Sequence, residues 1–227
     1  MGYTVRAYRP ADEPSWLRCR VLSFLDTPYY DNVLTAKPAT PAPGFSLVAV
    51  DEERPAGDAV VGCLDLTMAA PAAADGIAAD PAAADPAAAD GTAADGTVAE
   101  RLATIETIAV HPDAQRQGIA TALLAEARAR AEAAGATTLD AWTRDQPAGL
   151  AWYHAVGFLE SDHYLHVYAN HYADAGEPAR AVERPRPGLD PVMIFNHAQL
   201  DREAEMRAQF QRVYVCRRFS QPLEPNR

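Results

Sequence analysis

The chain has 227 residues, and 48 of its 110 hydrophobic residues are alanine, so the larger apolar side chains suffice for one core rather than two. Its formal net charge is −11, with nineteen arginines and a single lysine, Lys37, on the basic side. No run of about 18 apolar residues marks a membrane span, no apolar stretch near the start marks a secretory leader, and so acidic a chain has no broad basic face for nucleic acid.

In chain order, Thr4–Arg9 reads as a short strand. Asp12 is placed to cap a helix with Pro14 in its first turn, and Trp16, Leu17, Val21, Phe24 and Leu25 follow at helical spacing. Residues 26–43 form a loop rich in Tyr, Pro and Thr. Phe45–Val50, Val60–Met68 and Leu102–Val110 read as three strands, the first two joined by a polar turn over 51–58.

Between the second and third lies a low-complexity insert, 69–100. Sixteen of its 32 residues are alanine, and acids recur every fifth position from Asp75 to Asp95, ending with Glu100. Pro71, Pro81 and Pro86 oppose a helix, and only Ile77 and Val98 offer anything sizeable to bury. The expectation is a disordered linker stretching a strand–strand loop, since loop closure costs little more as loops lengthen. The insert carries −6 of the charge and leaves −5 on the other 195 residues. The acidity is therefore no argument for a cationic substrate.

After Val110 come a turn, His111–Ala114, and a helix over Gln117–Ala134 that stops at Gly135. Ile119, Leu123, Ala127 and Ala131 form its apolar stripe, widened by Leu124. A strand at Thr137–Trp142, a helix at Ala148–Ala155 and a strand at Phe158–Tyr168 follow. Residues 170–190 read as loop, Leu200–Phe210 as a charged helix and Val213–Phe219 as a last strand. The order gives an α/β (α+β) fold, one domain over 1–227 with a mixed sheet flanked by helices.

The chemistry concentrates in Ile105–Ala134. A strand runs into a turn, and a helix opens inside Gln115-Arg-Gln-Gly-Ile-Ala120. The first turn of a helix has unpaired amides and a partial positive charge, which suits a pyrophosphate. Gly118 and Ala120 are small enough for close approach, and Arg116 adds a charge. A Walker loop needs a lysine that is absent here, and a dinucleotide fingerprint needs more glycines.

The pattern resembles the (Q/R)-x-x-G-x-(G/A) motif of the GNAT superfamily of N-acetyltransferases. A second family-like phrase, Trp152-Tyr-His-Ala-Val-Gly157-Phe158, follows about 35 residues later. Together they cover roughly residues 3–168 less the insert. The resemblance implies a twisted, mostly antiparallel sheet and acetyl-CoA as co-substrate. Amides of Gln115, Arg116, Gln117, Gly118, Ile119 and Ala120 would grip its pyrophosphate. Ile108 and Val110 would pair with its pantetheine arm, and Gln146 stands where many members place a CoA-contacting asparagine. The acetyl group would pass to a primary amine by direct attack in a ternary complex.

Tyr153 matches the tyrosine that protonates the departing thiolate. Glu106 is the candidate base, expected by period two to share a face with Thr104, Ile108 and Val110. Tyr29, Tyr30 and Asp31 lie in the loop that usually lines the acceptor site, with Asp31 placed to pair with an amine. His163 and His166 are expected on opposite faces of one strand. Cys19, Cys63 and Cys216 have no metal spacing, which points to reduced thiols in a cytoplasm and to no metal. The acceptor is a small-molecule amine or a peptide, with neither nucleic acid nor membrane as partner and a homodimer as an open option. The alternative is a non-catalytic acyl-CoA sensor or interaction module on the same fold.

Overall fold

A computed structural model describes residues 2–68, 101–183 and 186–223. The insert 69–100 lies outside the described residues, so its expected disorder is not tested. The elements are β1 (Thr4–Ala7), α1 (Glu13–Phe24), β2 (Phe45–Val50), β3 (Val60–Met68), β4 (Leu102–Val110), α2 (Ile119–Ala133), β5 (Thr138–Arg144), α3 (Pro147–Ala155), β6 (Leu159–Asn170), α4 (Glu177–Ala181), β7 (Met193–Ala198), α5 (Glu203–Gln209) and β8 (Arg212–Pro222). The strands form one eight-stranded sheet in the order β1-β2-β3-β4-β5-β8-β6-β7. Among the described residues only the β4–β5 pair is parallel. The mixed, mostly antiparallel sheet is thus as expected, and the C-terminal strand β8 slots into its middle rather than onto an edge.

Two departures lie in the C-terminal third. Helix α4 sits inside the expected loop 170–190, and β7 forms where no element was expected. Both are too short for a periodic signal, at five and six residues. Near the N-terminus, Asp12 does not cap α1 with its side chain. Its carboxylate accepts both Arg6 guanidinium N–H groups at 2.7 Å and the Arg9 amide at 2.8 Å.

The core has a layer on each face of the sheet. On one face Leu47, Leu64, Leu66 and Ile105 meet Ile119, Leu123, Leu124, Ala127 and Ala131 of α2, the stripe expected from the sequence. On the other face Trp16 and Cys19 of α1 meet Val48, Cys63 and Ala109. The buried side of α1 also carries Ser15 and Arg20, whereas Leu25 is exposed. Spacing of apolar residues alone therefore misplaced part of this face.

Gly62 sets the height of α2 above the sheet. A Cβ there would lie 2.5 Å from Ile119 Cγ2 and 3.1 Å from Leu123 Cδ1. Ile119 is β-branched and opens the helix, so it yields little. Gly62→Ala is expected to cost about 1–3 kcal/mol of stability through overpacking. Urea unfolding reads this, and a change below about 0.5 kcal/mol would show that the first turn of α2 shifts freely.

One irregularity shapes everything downstream. Along β3–β4, Asp65 pairs with Thr107 but Leu66 pairs with Ile105, so Glu106 is an extra residue in a β-bulge. The bulge breaks the alternation of β4. Ile105, Ile108 and Val110 pack toward the α2 side, and Ala109 packs toward the α1 side. Glu106 bonds Thr67 and faces the α1 side with Thr107. The expectation that Glu106 shares a face with Ile108 and Val110 is therefore corrected. Period two fails across a bulge.

Candidate active site

Parallel pairing of β4 with β5 runs only from Leu102–Thr138 to Ile105–Ala141. Beyond the bulge the strands part, although β4 continues to Val110 and β5 to Arg144. A cleft of about 1040 Å³ opens there, partly to solvent. Among the predicted residues, Ile108, Val110, Gln115, Ala120, Gln146, Tyr29 and Tyr153 all line it. Phe24, Thr27, Thr143 and Trp152 line it as well. Phe24, Thr27 and Thr143 had no motif to reveal them, because they reach the cleft only through the packing of α1, the loop after it and β5, whereas Trp152 opens the phrase that ends at Phe158.

The backbone of β4 addresses this cleft. His111 N–H donates to Val61 O at 2.9 Å on β3. Strand alternation then turns the amides of Val110 and Ile108 the other way, toward the gap left by β5. Gln115 Nε2 donates to Val110 O at 3.4 Å across its mouth.

At the open end the loop His111–Gly118 turns into α2. His111 is buried, and its Nδ1 accepts the Asp113 amide at 3.2 Å, which fixes the turn. Arg116 has φ 61° and Gly118 has φ 80°, both left-handed. Such reversals aim successive amides into one concavity, an anion nest. A Cβ on Gly118 would have 3.8 Å of clearance, so its backbone conformation rather than crowding calls for glycine. The amides of Ile119, Ala120 and Thr121 open the helix without intrahelical acceptors. Gln117 and Ile119 turn their side chains away, the latter into the core, so only their backbones are available to a phosphate. The side chain of Arg116 is exposed at the loop.

Tyr153 reaches the cleft from α3. Gly157 (φ 89°) stops that helix, with Gly157 N–H donating to His154 O at 3.1 Å and Phe158 N–H to Tyr153 O at 3.0 Å. This is a Schellman stop, and its hydrophobic contact is Phe158 edge-on to Tyr153 at 5.4 Å. Tyr153 stacks on Phe219 at 5.1 Å and meets Trp152 at 5.0 Å. The phrase around Gly157 thus has a local purpose: it holds the phenol. Burial pushes the Tyr153 pKa above the ordinary phenol value, with Tyr29 and Asp140 pushing the same way. The group stays a neutral O–H donor.

The acceptor-loop predictions divide. Tyr29 lines the cleft, and its hydroxyl accepts the Arg144 amide at 2.8 Å. Tyr30 is exposed beneath Arg212, whose guanidinium lies 4.7 Å from its ring. Asp31 accepts two hydrogen bonds from Arg212, at 2.5 and 2.8 Å, which lower its carboxyl pKa. Asp31 therefore anchors its loop to β8, and the expectation that it awaits an amine is corrected. Arg144 holds the same loop through Pro28 O at 2.8 Å and bonds His166 Nδ1 at 3.0 Å. His166 is buried and His163 exposed beside Glu160, on opposite faces as expected. Neither lines the cleft. Glu106 lines a different cavity, between α1 and the β3–β4 face. Among the described residues no group of three metal-ligating side chains converges, and no helix is long and apolar enough to cross a membrane.

A family model, the acetyltransferase (GNAT) family, matches residues 6–158. The chain belongs to the GNAT acetyltransferase family. No curated protein matches it. Among solved structures it is similar to an N-acetyltransferase from Staphylococcus aureus Mu50, with TM-score 0.52 and 13% identity over 99% of this chain and 100% of that one. The Escherichia coli ribosomal-protein-S18-alanine N-acetyltransferase gives TM-score 0.51 and 14% identity, over 100% and 97%. A Sinorhizobium meliloti phosphinothricin acetyltransferase, solved with acetyl-CoA, gives 0.50 and 18%, over 100% and 94%. At these identities the likeness establishes the fold.

Proposed function

We propose that the protein is an N-acetyltransferase that moves an acetyl group from acetyl-CoA to a primary amine by direct attack. The carrying observation is the cleft where β4 and β5 part, ending on the left-handed turns of the 115–120 loop. In this reading the loop amides and the first turn of α2 hold the pyrophosphate. The edge of β4 at Ile108 and Val110 pairs with the pantetheine arm. The Val110 amide polarises the thioester carbonyl, and Gln146, at the start of α3, contacts the arm.

The amine nitrogen attacks the thioester carbon and the C–S bond breaks. Tyr153 donates its proton to the departing sulfur. Glu106 takes the ammonium proton directly or through water. Glu106 and Tyr153 line separate cavities on α1's side of the sheet and at the splay, which suits acceptor and donor arriving from different directions. None of the three cysteines lines the cleft, and direct attack calls for no nucleophilic side chain. A cytoplasmic location agrees with these free thiols.

Calorimetry with acetyl-CoA is the test. Saturable binding is expected, and Gly118→Val, which strains a left-handed position and fills the phosphate approach, is expected to weaken it about tenfold or more. No binding at millimolar ligand would overturn the reading. Binding without transfer to any of a broad amine panel would leave a CoA-binding module.

A further inference from the structure

The cleft at the β4–β5 splay carries opposite charge on two of its walls. Where α2 opens, the left-handed turns and the unpaired amides make one wall positive. Another wall is the C-terminal end of α1 with the turn after it: Leu22, Ser23, Phe24, Asp26, Thr27 and Tyr29. The last carbonyls of a helix carry a partial negative charge, and α1 has no basic residue in its last turn to offset it.

Asp26 stands on that negative wall. Among the described residues that line the cleft, it is the one with a charged side chain. It is exposed, and its carboxylate makes neither a hydrogen bond nor an ion pair among the described residues. An acid just past a helix C-terminus is unfavourably placed until a cation joins it. Nothing ties the side chain elsewhere, so its rotamers are free to bring the carboxylate into the cleft that the residue lines. The turn that carries it is fixed. The amide and the hydroxyl of Thr27 donate to Phe24 O at 3.0 and 2.8 Å, and Tyr29 N–H donates to Thr27 Oγ1 at 3.1 Å. The rings of Phe24 and Tyr29, 5.4 Å apart, give this wall an apolar stretch beside the acid.

We propose that Asp26 selects the acceptor, an amine that carries a second positive charge, with that second charge held at Asp26 and the reacting nitrogen at the splay. The proposal rests on the acyl-transfer reading above and names its substrate class. The attacking nitrogen gives up its charge to react, so a contact with that charge is lost on the way to the transition state. A second cation keeps its contact throughout and contributes fully to binding. Asp26 is thus a specificity-determining residue, and the phosphate end and the acid end of one cleft take the donor and the acceptor by opposite charge.

The experiment uses the full chain saturated with CoA. Calorimetry compares α,ω-diamines of increasing length with amino alcohols of matching length, which keep a polar end without its charge. Lysyl and arginyl dipeptides tell a small diamine from a chain terminus. At least one doubly charged amine is expected to bind about fivefold or more tightly than its singly charged partner, beyond the twofold advantage of two equivalent ends. That is the upper range for an ion pair open to water. The preference should shrink in high salt. Asp26→Asn should erase it and Asp26→Glu should keep part of it, while CoA binding and the thermal midpoint hold. No preference for a second charge at any length, or a preference that Asp26→Asn leaves intact, overturns the proposal. Thiol release from acetyl-CoA measured in parallel separates the two readings. An Asp26-dependent preference without turnover supports the cation site and removes the transferase, whereas turnover without preference removes only the cation site.

Discussion

Tyr153→Phe is expected to lower kcat by about 100-fold or more while acetyl-CoA affinity and thermal stability stay near wild type. The ring accounts for the packing: it stacks on Phe219 and meets Trp152 and Phe158. Phenylalanine keeps all three contacts. The residue lines the cleft, and the substitution removes nothing but the hydroxyl. Its raised pKa, caused first by burial, keeps the proton on the oxygen at neutral pH. What the substitution removes is therefore a donor, and only when the sulfur becomes a thiolate does a donor matter. Steady-state kinetics with calorimetry checks this. Unchanged turnover would mean that another group or solvent protonates the thiolate, and an equal loss of CoA affinity would make Tyr153 a positioning residue.

Glu177→Ala is expected to be the most destabilising single change in the C-terminal third, by about 3–5 kcal/mol, read from urea unfolding. Glu177 is 1% exposed, and its carboxylate accepts the amides of Asn170 at 2.8 Å and Gln211 at 2.6 Å. Those residues stand at the end of β6 and just before β8. Alanine leaves two buried amides without acceptors and a void beside them. Loss of about a fifth or more of a typical domain's 5–15 kcal/mol follows. Glu177→Gln should cost less, since one oxygen remains to accept. A loss below about 1 kcal/mol for the alanine variant would mean that water replaces the carboxylate.

Much of the cleft at the β4–β5 splay was legible because it is local. The 115–120 turn, the stripe of α2 and the Gly157 stop each involve residues within one turn of helix or loop, where sequence spacing translates into geometry. The expected stripe of α2 is the buried stripe. The α1 side of the sheet was illegible for the opposite reason. Arg20 carried no signal in the sequence, because it is buried only by the 32–41 loop and the sheet. Asp31 reads as a free acid, yet Arg212 reaches it from 181 residues away. Helix α4 and strand β7 depend on β6 for their place, and neither is long enough to announce itself.

The sequence by itself determined the family, the 115–120 turn, the helix stop behind Tyr153 and the location of the excess charge in the insert 69–100, because each is written in contiguous residues. The tertiary structure alone decided which faces those residues serve. A single extra residue at Glu106 bends β4, parts it from β5 and turns the candidate base toward α1 while Ile108 and Val110 keep to the other side. A bulge exists only as a mismatch between two paired strands, and one strand's sequence carries no record of its partner's register.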